Sequence, residues 1–367
     1  MIEPAAATTD RTPPPRVPMW DTARFLCVAL VVIGHAIQRL IHDSDLALGG
    51  YLFIYAWHMP AFALISGYFS KAGPPTELRM RRMITDILLP YAIMESLWTT
   101  VKFVVEGRRV FDPTTPSWTL WFLLALAIFR LILPYLALIR WPLLLAIAAS
   151  VGIGYLDNVD KTFSLSRAIG ILPFFVLGWR MREWDLVRRW FSGLIPRWPV
   201  RIAAVALFAA WAVIVWIGID LWRETDLRYW FFYDRAYDRL GDAEWWFGLV
   251  RLGVLMLGAV LAIAFLTLVT NRQLWITPFG RSTMYIYLLH SFALYPLRES
   301  GILEGTAAPN LLLVIMIAVG AALSVLLGTS PVRRFFQPLI EPRAEWLFRE
   351  SESESRRTSR PGPTGSG

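Results

Sequence analysis

Residues 20–41 read WDTARFLCVALVVIGHAIQRLI. The run is close to the roughly 20 apolar residues a helix needs to cross a hydrocarbon layer, yet it carries Asp21, Arg24 and His35. Ionisable groups inside a bilayer are costly, so each is a functional hypothesis by default. Arg24 and His35 are eleven residues apart. On an α-helix they lie within about 20° of one face and about 16 Å apart along the axis. Arg24 is then near one mouth of the span and His35 beyond its midplane. The same run also contains Cys27, the single cysteine of the chain, which excludes a disulfide scaffold.

Nine further apolar runs follow, at about 49–70, 83–105, 117–138, 141–156, 168–184, 200–221, 245–270, 281–297 and 310–330. The fifth, sixth and ninth of the ten are short. They are expected to be tilted, broken or re-entrant, with any irregular backbone covered by protein or lining a wet cavity. Apolar residues make up 56% of the 367 and charged residues 17%, where soluble domains carry about 25% charged. The expected fold class is therefore all-α, a polytopic integral membrane protein with about ten transmembrane helices. The net charge of +8 does not indicate a nucleic-acid partner, because the cations form short clusters between apolar runs and not one basic soluble face.

The two ends of the chain differ from the middle. Residues 1–18 are polar and proline-rich and are expected to form a disordered cytoplasmic tail. They lack the short apolar region and small-residue cleavage site of a secretory signal, so the first run is expected to stay as an anchor. Residues 351–367, SESESRRTSRPGPTGSG, continue a second cytoplasmic tail read over 336–367. The membrane domain is thus 19–335, without an internal repeat. With the N-terminus inside, 22 loop and tail cations are cytoplasmic and nine lie opposite, the asymmetry expected of cytoplasmic segments. Both termini are then cytoplasmic and the long loop 222–244 faces outward. Its Trp and Tyr residues, at 229–246, read as an interfacial belt, although aromatic platforms also suit sugars.

Three of the four histidines fall within spans: His35, His58 and His290. Counting along alternating spans puts His58 and Glu95 at a depth close to that of His35. Three titratable groups in one buried layer need partners that lipid does not supply. Plainer readings exist at other positions. Asp21 and Arg24 suit an interfacial ion pair that snorkels, the Arg81-Arg82 pair suits a topology determinant, and His42 suits a solvated loop. No metal-ligand set is read.

Four segments in order carry a resemblance. They are Trp20-Asp21-Thr22-Ala23-Arg24 with Val32-Ile33-Gly34-His35, an Arg-x10-His pattern; Trp57-His58-Met59-Pro60-Ala61-Phe62 through Ser66-Gly67-Tyr68-Phe69; Trp118-Thr119-Leu120-Trp121-Phe122-Leu123; and Phe279-Gly280-Arg281 through Tyr287-Leu288-Leu289-His290. Together they resemble the acyltransferase family 3 membrane proteins over roughly 20–330, and His58-Met59-Pro60 most resembles the branch described as fucose 4-O-acetylase-like.

The resemblance implies transfer of an acyl group, usually acetyl, from cytoplasmic acyl-CoA to a hydroxyl of a sugar, glycolipid or related metabolite, at the cell membrane. Acyl-CoA is then a donor substrate, with no permanently bound cofactor. Such a reaction needs a base for the hydroxyl proton, a task suited to histidine, and positive charge or donors at the developing oxyanion. His35 is expected as the general base and Arg24 as the anchor of CoA phosphate, with Arg81 and Arg82 as further phosphate candidates. His58, His290, Glu95 and Ser66 are expected as catalytic neighbours, Ser66 either as an acyl carrier or, more simply, as a small packing residue. The competing expectation is a proton-coupled transporter or flippase for a sugar or lipid-linked glycan, with the intramembrane His and Glu as a relay.

Overall fold

The computed structural model describes residues 16–348 apart from 108–110, 158, 160–161, 194–195 and 242–243. Residues 1–15 and 349–367, which make up most of the two expected tails, lie outside the described residues, as do Arg108, Arg109 and Lys161 of the charge count. The expected domain boundary at 335/336 falls inside a helix, Ser330–Ile340.

Among the described residues there are helices and turns and no strand. The helices are α1 (Pro18–Ile37), α2 (Asp45–Tyr55), α3 (His58–Phe69), α4 (Glu77–Met83), α5 (Leu89–Glu106), α6 (Trp121–Leu136), α7 (Pro142–Gly152) and α8 (Leu165–Glu183). They continue as α9 (Leu186–Phe191), α10 (Arg197–Ile217), α11 (Ile219–Glu224), α12 (Phe247–Leu268), α13 (Thr283–Glu299), α14 (Pro309–Leu327) and α15 (Ser330–Ile340). Each of the ten expected runs overlaps at least one of them, and the second overlaps both α2 and α3. Seven segments are long and apolar enough to cross a membrane: Pro18–His42, Asp45–Phe69, Glu77–Glu106, Thr162–Glu183, Arg197–Ile217, Phe247–Leu268 and Pro309–Leu327. The shorter members are α6, α7 and α13, with 16, 11 and 17 residues; the sixth run, expected to be short, is a full span in α8. The chain is an all-α, multi-pass membrane protein.

Local sequence explains the breaks. The second span is interrupted at Ala56–Trp57, because Pro60 has no N–H to give the carbonyl four residues back. Trp57 accordingly leaves helical geometry (φ −141°, ψ −21°). The third span starts earlier than hydropathy suggests, at Glu77, with the Thr76 hydroxyl accepting from the Arg79 N–H at 3.4 Å. It passes through a single π turn, Ile84–Leu88, just before Pro90. Such a turn absorbs the hydrogen bond the proline cannot make. Gly107, at φ 70°, then closes α5 in the left-handed conformation that glycine adopts without strain.

The core is built by close helix approach. The pair α3 and α8 packs most extensively, and small residues allow it. A Cβ on Gly67 would meet the Phe175 carbonyl oxygen at 1.9 Å, and one on Gly178 would meet that of Leu64 at 1.9 Å. Small residues at crossings are how membrane helices gain van der Waals contact where lipid supplies no hydrophobic drive. By contrast α10 is peripheral, its apolar window only 17% buried.

The loop 222–244 corrects one expectation. Trp230, Phe231, Tyr233 and Tyr237 are buried within the bundle, so they form no interfacial belt; Trp245 and Trp246 are the exposed members of the group. This loop, the C-terminal end of α1 and the N-terminal ends of α6 and α8 meet around one cavity, and α5 reaches the turn before α6 through Lys102 and Ser117.

Candidate active site

Two cavities lie along α1, one at each end of the Arg24–His35 series. The first, of about 160 Å³, is lined by His35, His58, Tyr55, Trp118, Trp121 and Arg167, among others. The second is a larger cleft of about 760 Å³ lined by Arg24, Ser66, Lys71, Arg79, Arg82 and Arg130, with Asp86 as its acidic residue. Helix α3 lines both, with Met59 facing the first and Phe62, Ile65 and Ser66 the second. A row of rings runs from one lining to the other: Phe62 meets Phe122 edge-to-face at 5.2 Å between centroids, and Phe122 meets Tyr287 at 6.2 Å.

Two imidazoles, His35 and His58, line the first cavity, and a third, His290, packs against His35 without lining it. The His35 and His290 rings are 5.5 Å apart, and the Tyr55 ring stands between His35 (6.4 Å) and His58 (4.7 Å). Their protonation pattern follows from their partners. His58 Nδ1 is 2.8 Å from the Ile54 carbonyl and His290 Nδ1 is 3.1 Å from the Ile286 carbonyl. A carbonyl only accepts, so each Nδ1 carries a proton and, in the neutral ring, each Nε2 is the basic nitrogen. Both are side-chain bonds to the carbonyl four residues back, made beside the helix break at His58 and within the unbroken α13 at His290. His35 Nδ1 faces the Gln38 Oε1 at 3.5 Å, which leaves Nε2 as its basic atom too. The Nε2 of His290 is buried and has no hydrogen-bond partner among the described residues.

Glu95 is buried, but it is not in the cavity lining. Its Oε2 accepts from the Ser117 N–H at 2.7 Å, its Oε1 from the Ser117 hydroxyl at 2.5 Å, and Lys102 Nζ donates to that hydroxyl at 2.7 Å. The next residue, Trp118, sits at φ 42°, a conformation that costs a non-glycine residue about 1–3 kcal/mol. Its ring meets His35 edge-on at 5.4 Å, and the Arg298 guanidinium covers it at 4.5 Å. The carboxylate thus reaches His35 through the loop it clamps. At the far side of that loop Asp112 accepts from the Thr114 N–H and hydroxyl. These bonds, with further ones from Thr115, hold its carboxyl below the usual carboxylate range.

The other expected residues separate from His35. Ser66 lines the cleft and its hydroxyl donates to the Phe62 carbonyl at 2.9 Å. It is eight residues beyond His58, about 12 Å along the axis. Arg24 lines the cleft beside Asp21 (3.7 Å), with its guanidinium 4.3 Å from the Phe69 ring centroid. Arg82 shares that lining, whereas Arg81 pairs with Glu77 at 2.6 Å and is not part of it. Among the described residues no group of three or more His, Cys, Asp or Glu is arranged to hold a metal ion.

Arg79, Lys71 and Arg130 in the cleft, and Arg167 in the His35 cavity, were not singled out from sequence. For Arg130 the signal was present, a cation inside an apolar run. The other three sit among loop and helix-end cations and look like topology determinants.

Comparison with known proteins gives the family. The family model described as an acyltransferase domain, that of acyltransferase family 3, matches residues 18–329. Nodulation protein NolL of Mesorhizobium japonicum is 25% identical over 215 residues, 54% of this chain and 55% of that protein. The chain therefore spans about half the length of the curated relative it matches. No solved structure matches. The matched region holds both cavities and every helix from α1 to α14, and the chain belongs to the acyltransferase family 3 of membrane proteins.

Proposed function

We propose that the protein transfers an acyl group, acetyl in the first instance, from acyl-CoA to a hydroxyl of a sugar, glycolipid or related metabolite, in the cell membrane with both termini in the cytoplasm. The observation that carries this reading is the pair of cavities on α1, with cations in one and basic imidazoles in the other. Five cations face Asp86 in the Arg24 cleft, a surplus of positive charge suited to the phosphates of CoA. Arg24 and Arg82 are the anchors, with Arg79, Lys71 and Arg130 beside them. The flexible arm of CoA then reaches past Phe62 and Phe122 toward His35.

At His35 the acceptor hydroxyl attacks the thioester carbonyl. Nε2 takes the hydroxyl proton, a C–O bond forms, the C–S bond breaks, and the proton returns to the departing thiolate. Family membership supports group transfer over the transporter alternative. His58 and His290 present basic Nε2 atoms to the same region and support the charge that develops there. Because Ser66 lies at the other cavity, direct transfer fits the geometry better than an acyl-serine.

The test uses purified full chain in detergent, where no compartments exist and transport cannot be expressed. Radiolabelled acetyl-CoA with glycan extracts is expected to give an alkali-labile labelled ester. Absence of label across a broad acceptor panel, together with proton-coupled uptake in vesicles, would contradict the proposal.

A further inference from the structure

The wall of the His35 cavity formed by α8 and the loop 222–244 holds a charged pair that the mechanism above does not use. Arg167 lines the cavity. Its guanidinium lies over the Trp121 ring at 4.6 Å from the centroid and is 5.8 Å from that of Phe232. Its Nη2 donates to the Asp234 Oδ2, two residues after Phe232, which lines the same cavity.

The pairing is end-on and leaves much unused. Nη2 is the one nitrogen of Arg167 that is hydrogen-bonded among the described residues, and Nε there has no partner, nor does the Asp234 Oδ1. A purely structural ion pair away from water uses its remaining donors and acceptors, because each one left over costs about 1–3 kcal/mol. Here a guanidinium with spare N–H groups lies beside the Trp121 indole and the Phe232 phenyl ring at the edge of the chamber that contains His35.

We infer that Arg167 binds the acceptor, donating to ring hydroxyls while Trp121 packs on the apolar C–H face, and that Asp234 makes this subsite selective for neutral, hydroxyl-rich rings. The inference rests on the acyl-transfer reading above. Three properties favour a neutral sugar. Asp234 cancels the charge of Arg167, so this pair adds no net attraction for an anion. The aromatic walls offer flat faces to a pyranose ring. The enclosed volume of about 160 Å³ is below the roughly 300–1,000 Å³ of pockets for drug-sized ligands, which suits one ring at the point of reaction. Arg167 is the binding residue. Asp234 acts through it, as a positioning and neutralising residue.

The test compares methyl glycosides of glucose, galactose and fucose with the methyl glycosides of glucuronic and galacturonic acid, using the full chain and acetyl-CoA. Wild type is expected to favour neutral rings. Asp234→Asn keeps the shape and uncovers one positive charge, so the ratio of kcat/KM for uronide over neutral glycoside is expected to rise at least about tenfold, the scale of one charge-assisted hydrogen bond. Arg167→Gln is expected to raise the KM for neutral glycosides about tenfold or more with the acetyl-CoA KM unchanged. A pair that only holds the fold would lower both acceptors alike in Asp234→Asn, leaving the ratio in place, and that result would overturn the inference while acyl transfer stands.

Tryptophan fluorescence of each variant, titrated with the same glycosides, separates the two claims. Quenching that needs Arg167 but yields no ester would keep the subsite and remove the transfer reading. Neither quenching nor ester formation with any neutral glycoside would overturn the inference as well. If Asp234→Asn does not fold, Arg167→Lys, which keeps the charge and loses the planar fork, must still raise the neutral-acceptor KM and spare that of the donor; an unchanged acceptor KM would overturn the inference.

Discussion

The two cavities on α1 differ in almost every physical respect. The one around His35 is small, lined by rings, and holds His35 and His58, whose Nδ1 atoms are committed to the Gln38 side chain and the Ile54 carbonyl. The one around Arg24 is several times larger and cationic. Rigid, preorganised groups suit a step in which one proton moves, whereas a broad charged cleft suits recognition of a flexible polyanion. The difference teaches that one helix face separates chemistry from affinity, so substitutions at its two ends are expected to have different kinetic signatures.

The largest effect is expected at His35. His35→Ala removes the proposed base, and acyl transfer is expected to fall about 10²–10⁴-fold while the variant still inserts and keeps its melting temperature. Near-wild-type turnover of a folded His35→Ala protein would break the division at its chemical end.

Arg24→Ala comes next. A charge-assisted hydrogen bond is worth about 1.5–3 kcal/mol, so the acyl-CoA KM is expected to rise about 10–100-fold, less for Arg24→Lys, with the acceptor KM little changed. An unchanged donor KM beside a lowered melting temperature would make the Asp21–Arg24 pair structural and shift the phosphate role to Arg82, Arg79 and Arg130.

Glu95→Gln sharpens the comparison from a third place. Its carboxylate holds both the N–H and the hydroxyl of Ser117, and so the strained Trp118 against His35. The variant is expected to lose about 1–3 kcal/mol of stability and only a few-fold in turnover, with both KM values near wild type. A loss as deep as that of His35→Ala would give Glu95 a direct chemical role.

The smallest effect is expected at Ser66. Its hydroxyl is bonded to the Phe62 carbonyl and faces the cleft. Ser66→Ala is expected to change turnover less than about twofold, since the hydroxyl stays on its own helix away from His35, and the lost bond costs roughly 0.5–1.5 kcal/mol of stability instead. Trapping a labelled acyl-Ser66 by acid quench and peptide mapping would contradict this.

Much of this was legible in the chain itself. Hydropathy exposes the seven full spans because each must match the same bilayer thickness, and the eleven-residue spacing places Arg24 and His35 on one face from helix geometry alone. The separation of Ser66 from His58 also follows from the rise per residue along α3. What sequence could not show is tertiary. Glu95 meets Ser117 across 22 residues, and only the fold makes that contact. The aromatic loop was misread for a related reason: the same Trp and Tyr residues suit a lipid interface or a bundle interior, and composition does not distinguish them. The helix break before His58 has a cause visible in the sequence, Pro60, whereas the carbonyl that fixes the His58 tautomer is seen only in the fold.

The most direct test of the divided site is CoA binding by the two α1 variants, measured by titration calorimetry without acceptor, so that no turnover intervenes. His35→Ala is expected to bind CoA with the wild-type Kd although it cannot transfer, and Arg24→Ala to bind about 10–100-fold more weakly. Loss of CoA binding in a folded His35→Ala protein, with the wild-type Kd retained in Arg24→Ala, would contradict the assignment of donor recognition to one cavity and proton transfer to the other.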